Sequence, residues 1–135
     1  NNFVTKMIDG TFKKPNYTLI RDLFIFCTFT GLSWTDMANL TQTNLQTSFD
    51  GHLWLNTKRQ KTGVETNIRL LDVAKHIIEK YDGMAEGDKL LPVPCYDNCK
   101  NSIKAIAKRC GIEKNVTWHK AQRESGNIYF VHSVQ

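Results

Sequence analysis

The chain has 135 residues, 41% of them hydrophobic, and carries 18 Lys and Arg against 13 Asp and Glu, a formal charge of +5. That length suits one domain with one main core, and the apolar content argues against global disorder. No run of about 18 apolar residues is present and no basic-then-apolar leader opens the chain, so a cytoplasmic protein with no membrane partner is expected.

In chain order, residues 1–16 are mostly polar and basic around the apolar anchors Phe3, Met7, Ile8 and Phe12, with Gly10 and Pro15 as punctuation. Asn16 can cap the helix after it. From Tyr17 to about Thr28 two apolar lines, Leu19-Leu23-Phe26 and Ile20-Phe24-Cys27, predict a central helix packed on more than one side. Cys27 within it reads as a buried free thiol, and Gly31 can end the helix through a positive φ. Ser33-Trp34-Thr35-Asp36 has the form of a capping box, opening a short helix from Trp34 to Leu40. Thr41, Thr43 and Asn44 end it or begin another turn.

The rhythm then changes. Asp50-Gly51 marks a turn, and residues 52–57 have a strand bias. Residues 64–70 alternate, with Val64, Thr66, Ile68 and Leu70 on one side. Lys58-Arg59-Gln60-Lys61-Thr62-Gly63 lies between the two runs, which predicts a small antiparallel sheet with a strongly basic hairpin. Asp72 can cap a helix from Val73 to Tyr81. Asp97 or Asn98 can start the next, with Ile103, Ile106, Ala107 and Cys110 as its apolar stripe and Gly111 as its C-cap. Another helix can begin after Thr117, through His119 and Ala121, and Ile128–Val131 can form an edge strand or a tail. The sum is α+β, mostly helical, with one small sheet.

Four stretches carry a resemblance. They are Arg21-Asp22-Leu23-Phe24 through Thr30-Gly31-Leu32-Ser33-Trp34-Thr35-Asp36-Met37; Lys58-Arg59-Gln60-Lys61-Thr62-Gly63; Leu90-Leu91-Pro92-Val93-Pro94; and Gly111-Ile112 through Thr117-Trp118-His119-Lys120-Ala121. In order and spacing they resemble the catalytic domain of the tyrosine recombinases, the phage-integrase family, and more narrowly the integrases of Bacteroides mobile elements. The resemblance covers nearly all of residues 1–121, read as a partial recombinase catalytic domain, and leaves 122–135 as an atypical tail. It implies site-specific DNA integration and recombination on double-stranded DNA, with no metal or nucleotide cofactor and with other integrase protomers as partners. A tyrosine hydroxyl does the cutting in that family, through a 3′-phosphotyrosyl link.

The resemblance also implies roles. Lys61 matches the hairpin lysine that protonates the 5′-oxygen leaving group, a task an ammonium can perform. His119 matches the histidine of the His-x-x-Arg motif, which bonds a non-bridging phosphate oxygen or moves a proton. Asp36 matches the acidic residue that positions basic active-site groups. Lys58, Arg59, Lys61, Thr62 and Ser33 would contact DNA.

Two positions depart from the family pattern. Ser33 stands where most members carry their first arginine, and a serine offers no charged fork. Lys58, Arg59 or Arg21 would have to supply that charge. Gln122 stands three residues after His119, where the second arginine belongs. Arg123 is one position later, about 100° round a helix, and reaches the site only through a bulge or a different helix start. After Ala121 the family pattern is lost, so the sequence looks cut short or changed in frame there. Tyr129 follows His119 too closely to match the nucleophile.

Three readings therefore compete: a recombinase fragment inactive alone, a non-catalytic DNA-binding regulator, and a self-associating interaction module. Cys95 and Cys99 with His76 or His119 make a poor metal set, since no second pair stands at zinc spacing.

Overall fold

The computed structural model describes residues 2–125. The elements run α1 (Asn2–Asp9), α2 (Pro15–Thr30), α3 (Trp34–Ala38), a 3-10 turn (Gln42–Asn44), β1 (Leu45–Thr47), β2 (Leu53–Lys58), β3 (Glu65–Arg69), α4 (Asp72–Lys80) and α5 (Tyr96–Arg109). A last helix, α6, is described over residues 118–125. The architecture is the expected one, mostly helical with a small antiparallel sheet. Ile128–Val131 and Tyr129 lie outside the described residues.

Helix α2 is the spine, packed against α1, α4 and α5. Every residue from Asp22 to Thr30 is buried. Its threonines tolerate burial because each bonds back one turn, Thr28 Oγ1 to the Phe24 carbonyl at 3.0 Å and Thr30 Oγ1 to that of Phe26 at 2.8 Å. The helix starts at Pro15, with Lys14 as the N-cap, so Asn16 is inside it rather than its cap. Proline suits that first position, where its missing N–H costs no hydrogen bond.

Helix α1 is not expected from its mixed composition. Phe3, Val4 and Met7 nevertheless bury one stripe against α2. Its end is closed from outside: Arg21 Nη1 donates to the carbonyls of Met7, Ile8 and Gly10 at 3.0, 3.1 and 2.6 Å. A cation is well placed among the free carbonyls of a helix C-terminus.

A buried polar cluster ties α2 to α4. Asp22 accepts from the Tyr81 hydroxyl, from Lys80 Nζ at 2.8 Å and from Arg21 Nε at 2.8 Å. The Tyr81 hydroxyl pKa is raised above its ordinary value by burial first and by the Asp22 carboxylate second. The unfolded chain loses that proton near pH 10 while the native form keeps it. The bond's contribution is therefore complete below about pH 10 and is lost as pH rises further. Urea melts at increasing alkaline pH are expected to show this fall, and Tyr81→Phe is expected to flatten it.

The sheet runs β1-β2-β3, all antiparallel, with Leu55 paired to both Leu45 and Ile68. Leu55 and Ile68 bury its inner face. β1 has no period-two signal, since it is three residues long. Val64 does not join the inner face. It is 59% exposed because it sits in the hairpin, where its carbonyl accepts the Arg59 amide at 2.9 Å.

Two further caps differ from expectation. Leu71, not Asp72, is the N-cap of α4, and Cys95, not Asp97 or Asn98, is that of α5. Cys27 is buried and free, as its apolar run implies.

Candidate nucleic-acid interface

The site is organised by the corner after α2. Gly31 adopts φ 77°, in the left-handed region, and returns its amide to the Cys27 carbonyl at 2.9 Å. A Cβ at Gly31 would also stand 3.0 Å from Ser125 Oγ, so α6 passes closely against this corner. The left-handed φ favours glycine here, and any larger residue would also have to displace the Ser125 hydroxyl. Beyond it, Ser33 caps α3, its Oγ accepting the Asp36 amide at 3.1 Å.

The reciprocal half of the expected capping box is absent. Instead of bonding the Ser33 amide, the buried Asp36 carboxylate reaches across to the basic hairpin. Its Oδ1 accepts the Gln60 amide at 3.0 Å, and its Oδ2 lies 3.8 Å from Arg59 Nη1. That same nitrogen donates to the Gly31 carbonyl at 2.9 Å. Asn39 adds a third tie, donating to the Thr35 carbonyl at 2.9 Å and to Gln60 Oε1 at 2.6 Å. The hairpin offers the carboxylate a backbone amide and a guanidinium together, whereas the cap position offers a single amide. Asp36 thus fastens the hairpin to the Gly31 corner.

Asp36→Ala is expected to release that hairpin. It removes the acceptor of the Gln60 amide and the partner of Arg59, so a destabilisation of about 1–3 kcal/mol results. Hydrogen exchange should accelerate at the Gln60 amide while the α2 amides stay protected. Unchanged exchange at Gln60 would show that the hairpin is held by other contacts.

Ser33 also lines a cleft of about 300 Å³ with Trp34, Thr35, Tyr96, Trp118, His119 and Gln122. His119 is presented from the first turn of α6, where Thr117 Oγ1 accepts the Lys120 amide at 3.2 Å. Trp118 and Ala121 are buried and hold that turn against the core, Trp118 meeting Phe24 at 5.6 Å between ring centres. Trp34 meets Tyr96 edge-on at 4.9 Å.

The sequence-predicted residues therefore fall into groups. Ser33 and His119 share the cleft, and Asp36 and Arg59 lie at the same corner. Lys61 and Thr62 are exposed on the hairpin; Thr62 Oγ1 accepts the Val64 amide at 3.3 Å, and Lys61 has no partner among the described residues. Lys58 lines a different hollow with Asn44, Asn56 and Glu65. Gln122, not Arg123, faces the cleft; Arg123 is exposed at the next helical position, and α6 is regular there. Arg21 is occupied by α1 and Asp22, which leaves Arg59 as the cation at the corner.

Sequence reasoning missed Gln60, Asn39, Trp34 and Tyr96. Amide pairs across long sequence distances leave no periodic signal, and the two aromatic residues read as ordinary packing. A hollow of about 690 Å³ beside Lys104, Lys108 and Lys114 is lined by none of these residues.

Chemically, the corner offers a guanidinium, a free ammonium nearby on the hairpin, an imidazole, a hydroxyl and a carboxamide. That set can bind and hydrogen-bond a phosphodiester. The thiols of Cys27 and Cys99 are raised above their ordinary range, chiefly by burial. No group of three or more His, Cys, Asp or Glu placed to hold a metal occurs among the described residues. No described helix is long and apolar enough to cross a membrane.

Three solved structures share this architecture. The chain matches XerA recombinase with a TM-score of 0.72 at 12% identity, over 98% of this chain and 49% of that one. It matches lambda integrase, residues 75–356, solved as a dimer bound to a COC′ core site, with a TM-score of 0.72 at 17% identity, over 97% and 49%. It matches the XerH site-specific recombinase, solved bound to its difH substrate before cleavage, with a TM-score of 0.72 at 10% identity, over 98% and 41%. No family model matches the sequence, and no curated protein matches it. At these identities the likeness shows the fold, which is that of a recombinase catalytic domain. The chain spans about half or less of the length of these relatives.

Proposed function

We propose that the chain is the DNA-contacting part of a site-specific tyrosine recombinase and that it binds duplex DNA without cutting it. The observation that carries this reading is the shared Gly31–Ser33 corner, with Arg59 docked at Gly31 and Ser33 lining the cleft with His119. Arg59 supplies the positive charge that Ser33 lacks, and Lys61 extends from the same hairpin toward the phosphodiester. His119 donates to or accepts from a phosphate oxygen. The fold shared with recombinases solved on DNA supports the choice of partner, as does the narrower resemblance to integrases of Bacteroides mobile elements.

Failure to cut is expected from the groups present. Phosphoryl transfer rests on positioned charge and an in-line attacker. The cleft offers Ser33 and Gln122, both neutral, at the two positions where the family carries arginine. Neither provides the paired N–H fork that holds a phosphate. Tyr129 is too near His119 in sequence to match the family nucleophile. The chain alone is therefore expected to form no covalent adduct with a nicked suicide duplex. A denaturation-resistant protein–DNA band that disappears in Tyr129→Phe would overturn this.

The two neutral residues in the cleft also favour a second reading, a regulator that occupies DNA in competition with an intact recombinase. The two readings differ in one measurement. Added chain would slow recombination by an active integrase on shared sites at concentrations equal to the integrase's own if it regulates, and only in large excess if it represents part of an enzyme.

A further inference from the structure

We propose that Cys95 and Cys99 form a reversible redox pair beside the cleft, next to its lining residue Tyr96, oxidised by a peroxide and reduced by a dithiol. Of the four cysteines, Cys95 is the exposed one, standing as the N-cap of α5. Cys99 lies one turn further on and is fully buried. Its amide donates to the Cys95 carbonyl at 3.1 Å. Its sulfur sits 3.7 Å from the Pro94 carbonyl oxygen, so the thiol folds back toward the start of the helix.

The geometry favours a labile bond over a permanent one. Residues four apart in a regular helix hold their Cβ atoms about 5–6 Å apart, whereas a disulfide needs about 3.5–4.5 Å. Cys95 has the extended backbone of a cap, φ −61° and ψ 155°, so the closing movement falls on the loop through Pro92 and Pro94 and spares the helix. A disulfide closed under such strain is easily reduced again, which marks regulatory pairs.

The position couples the pair to the cleft. The buried Trp34 indole N–H makes no hydrogen bond, and the Cys99 sulfur lies near it. Trp34 and Tyr96, which is next to Cys95 in the chain, are in contact and both line the cleft. Drawing the Cys99 sulfur outward removes the thiol from near Trp34 and shifts the residue beside Tyr96.

The chemistry balances in two steps. The exposed Cys95 sulfur attacks one peroxide oxygen, the O–O bond breaks and water departs, leaving a sulfenic acid. The Cys99 sulfur then attacks the Cys95 sulfur and the S–O bond breaks. The Cys99 proton leaves with the departing hydroxide as a second water. Two thiols are oxidised to one disulfide and one hydrogen peroxide is reduced to two waters. None of this depends on the DNA reading.

The test treats the full chain with hydrogen peroxide, counts thiols in denaturant and maps the products. The count is expected to fall by two of the four, with Cys95 and Cys99 joined inside one chain, and dithiothreitol should restore it. Tryptophan emission should change in step, and this change should be absent from Trp34→Phe. Cys95→Ser, at an exposed position, should leave Cys99 reduced. Three outcomes would overturn the proposal: a bond between Cys27 and Cys99, chains crosslinked through Cys95 alone, or Cys95 carried to sulfinic acid with Cys99 untouched.

Discussion

Neutralising Arg59 and Lys61 together, as Arg59→Gln with Lys61→Gln, is expected to abolish most duplex DNA binding at physiological salt. Each lost phosphate contact lowers the slope of log affinity against log salt by about 0.9, so the double variant should lose about 1.8. Lys58→Gln is expected to add little, because Lys58 lines a hollow on a different part of the sheet. Arg59→Lys separates charge from shape. It keeps the cation but loses the planar guanidinium whose Nη1 donates to the Gly31 carbonyl and lies 3.8 Å from the Asp36 carboxylate, so part of the affinity should be lost with the slope retained. Circular dichroism and melting temperature guard against misreading an unfolded variant as a non-binding one. An unchanged salt slope in the double variant would remove the hairpin from the interface.

The second large effect is on stability. Asp22→Ala leaves three groups without their carboxylate: the Tyr81 hydroxyl, Lys80 and Arg21. Breaking a buried pair by removing one partner typically costs about 3–5 kcal/mol, because the remaining charge and donor stay desolvated. Lys80 is partly exposed and recovers water, so the lower end of that range applies. Arg21 still bonds the α1 carbonyls, and α1 should stay docked. Denaturant midpoints measure this loss. Asp22→Asn should recover part of it, since an amide still accepts the tyrosine hydroxyl. A loss below about 1 kcal/mol would mean that the cluster is solvated and that α2 and α4 are held by apolar packing alone.

These two clusters also show where the sequence was legible. Helix α2 announced itself through two apolar lines, Gly31 through its place after them, and the hairpin through Gly63 and its alternating flanks. Each signal is local. The first half of the Ser33 cap was local too, and it formed as expected. Its second half failed because Asp36 found Gln60 and Arg59, residues more than twenty positions away that only the tertiary fold brings near. Helix α1 escaped for the same reason, since Arg21 closes its end from another helix. Ser33 and His119, to which the family resemblance pointed, line one cleft. Periodicity gave no hint that Trp34 and Tyr96 would stand beside them. The displaced arginine resolves on geometry: α6 is regular, so one residue of offset turns Arg123 away and brings Gln122 to the cleft.

The central claim is that the basic hairpin and the His119 cleft face the same stretch of one DNA duplex. Photocrosslinking residues placed at Lys61 and at Gln122, in separate variants, test it most directly. Bound to the same end-labelled duplex, both are expected to crosslink, and at nucleotides within one or two positions of each other. Crosslinks half a helical turn or more apart, or from the hairpin position only, would contradict the account.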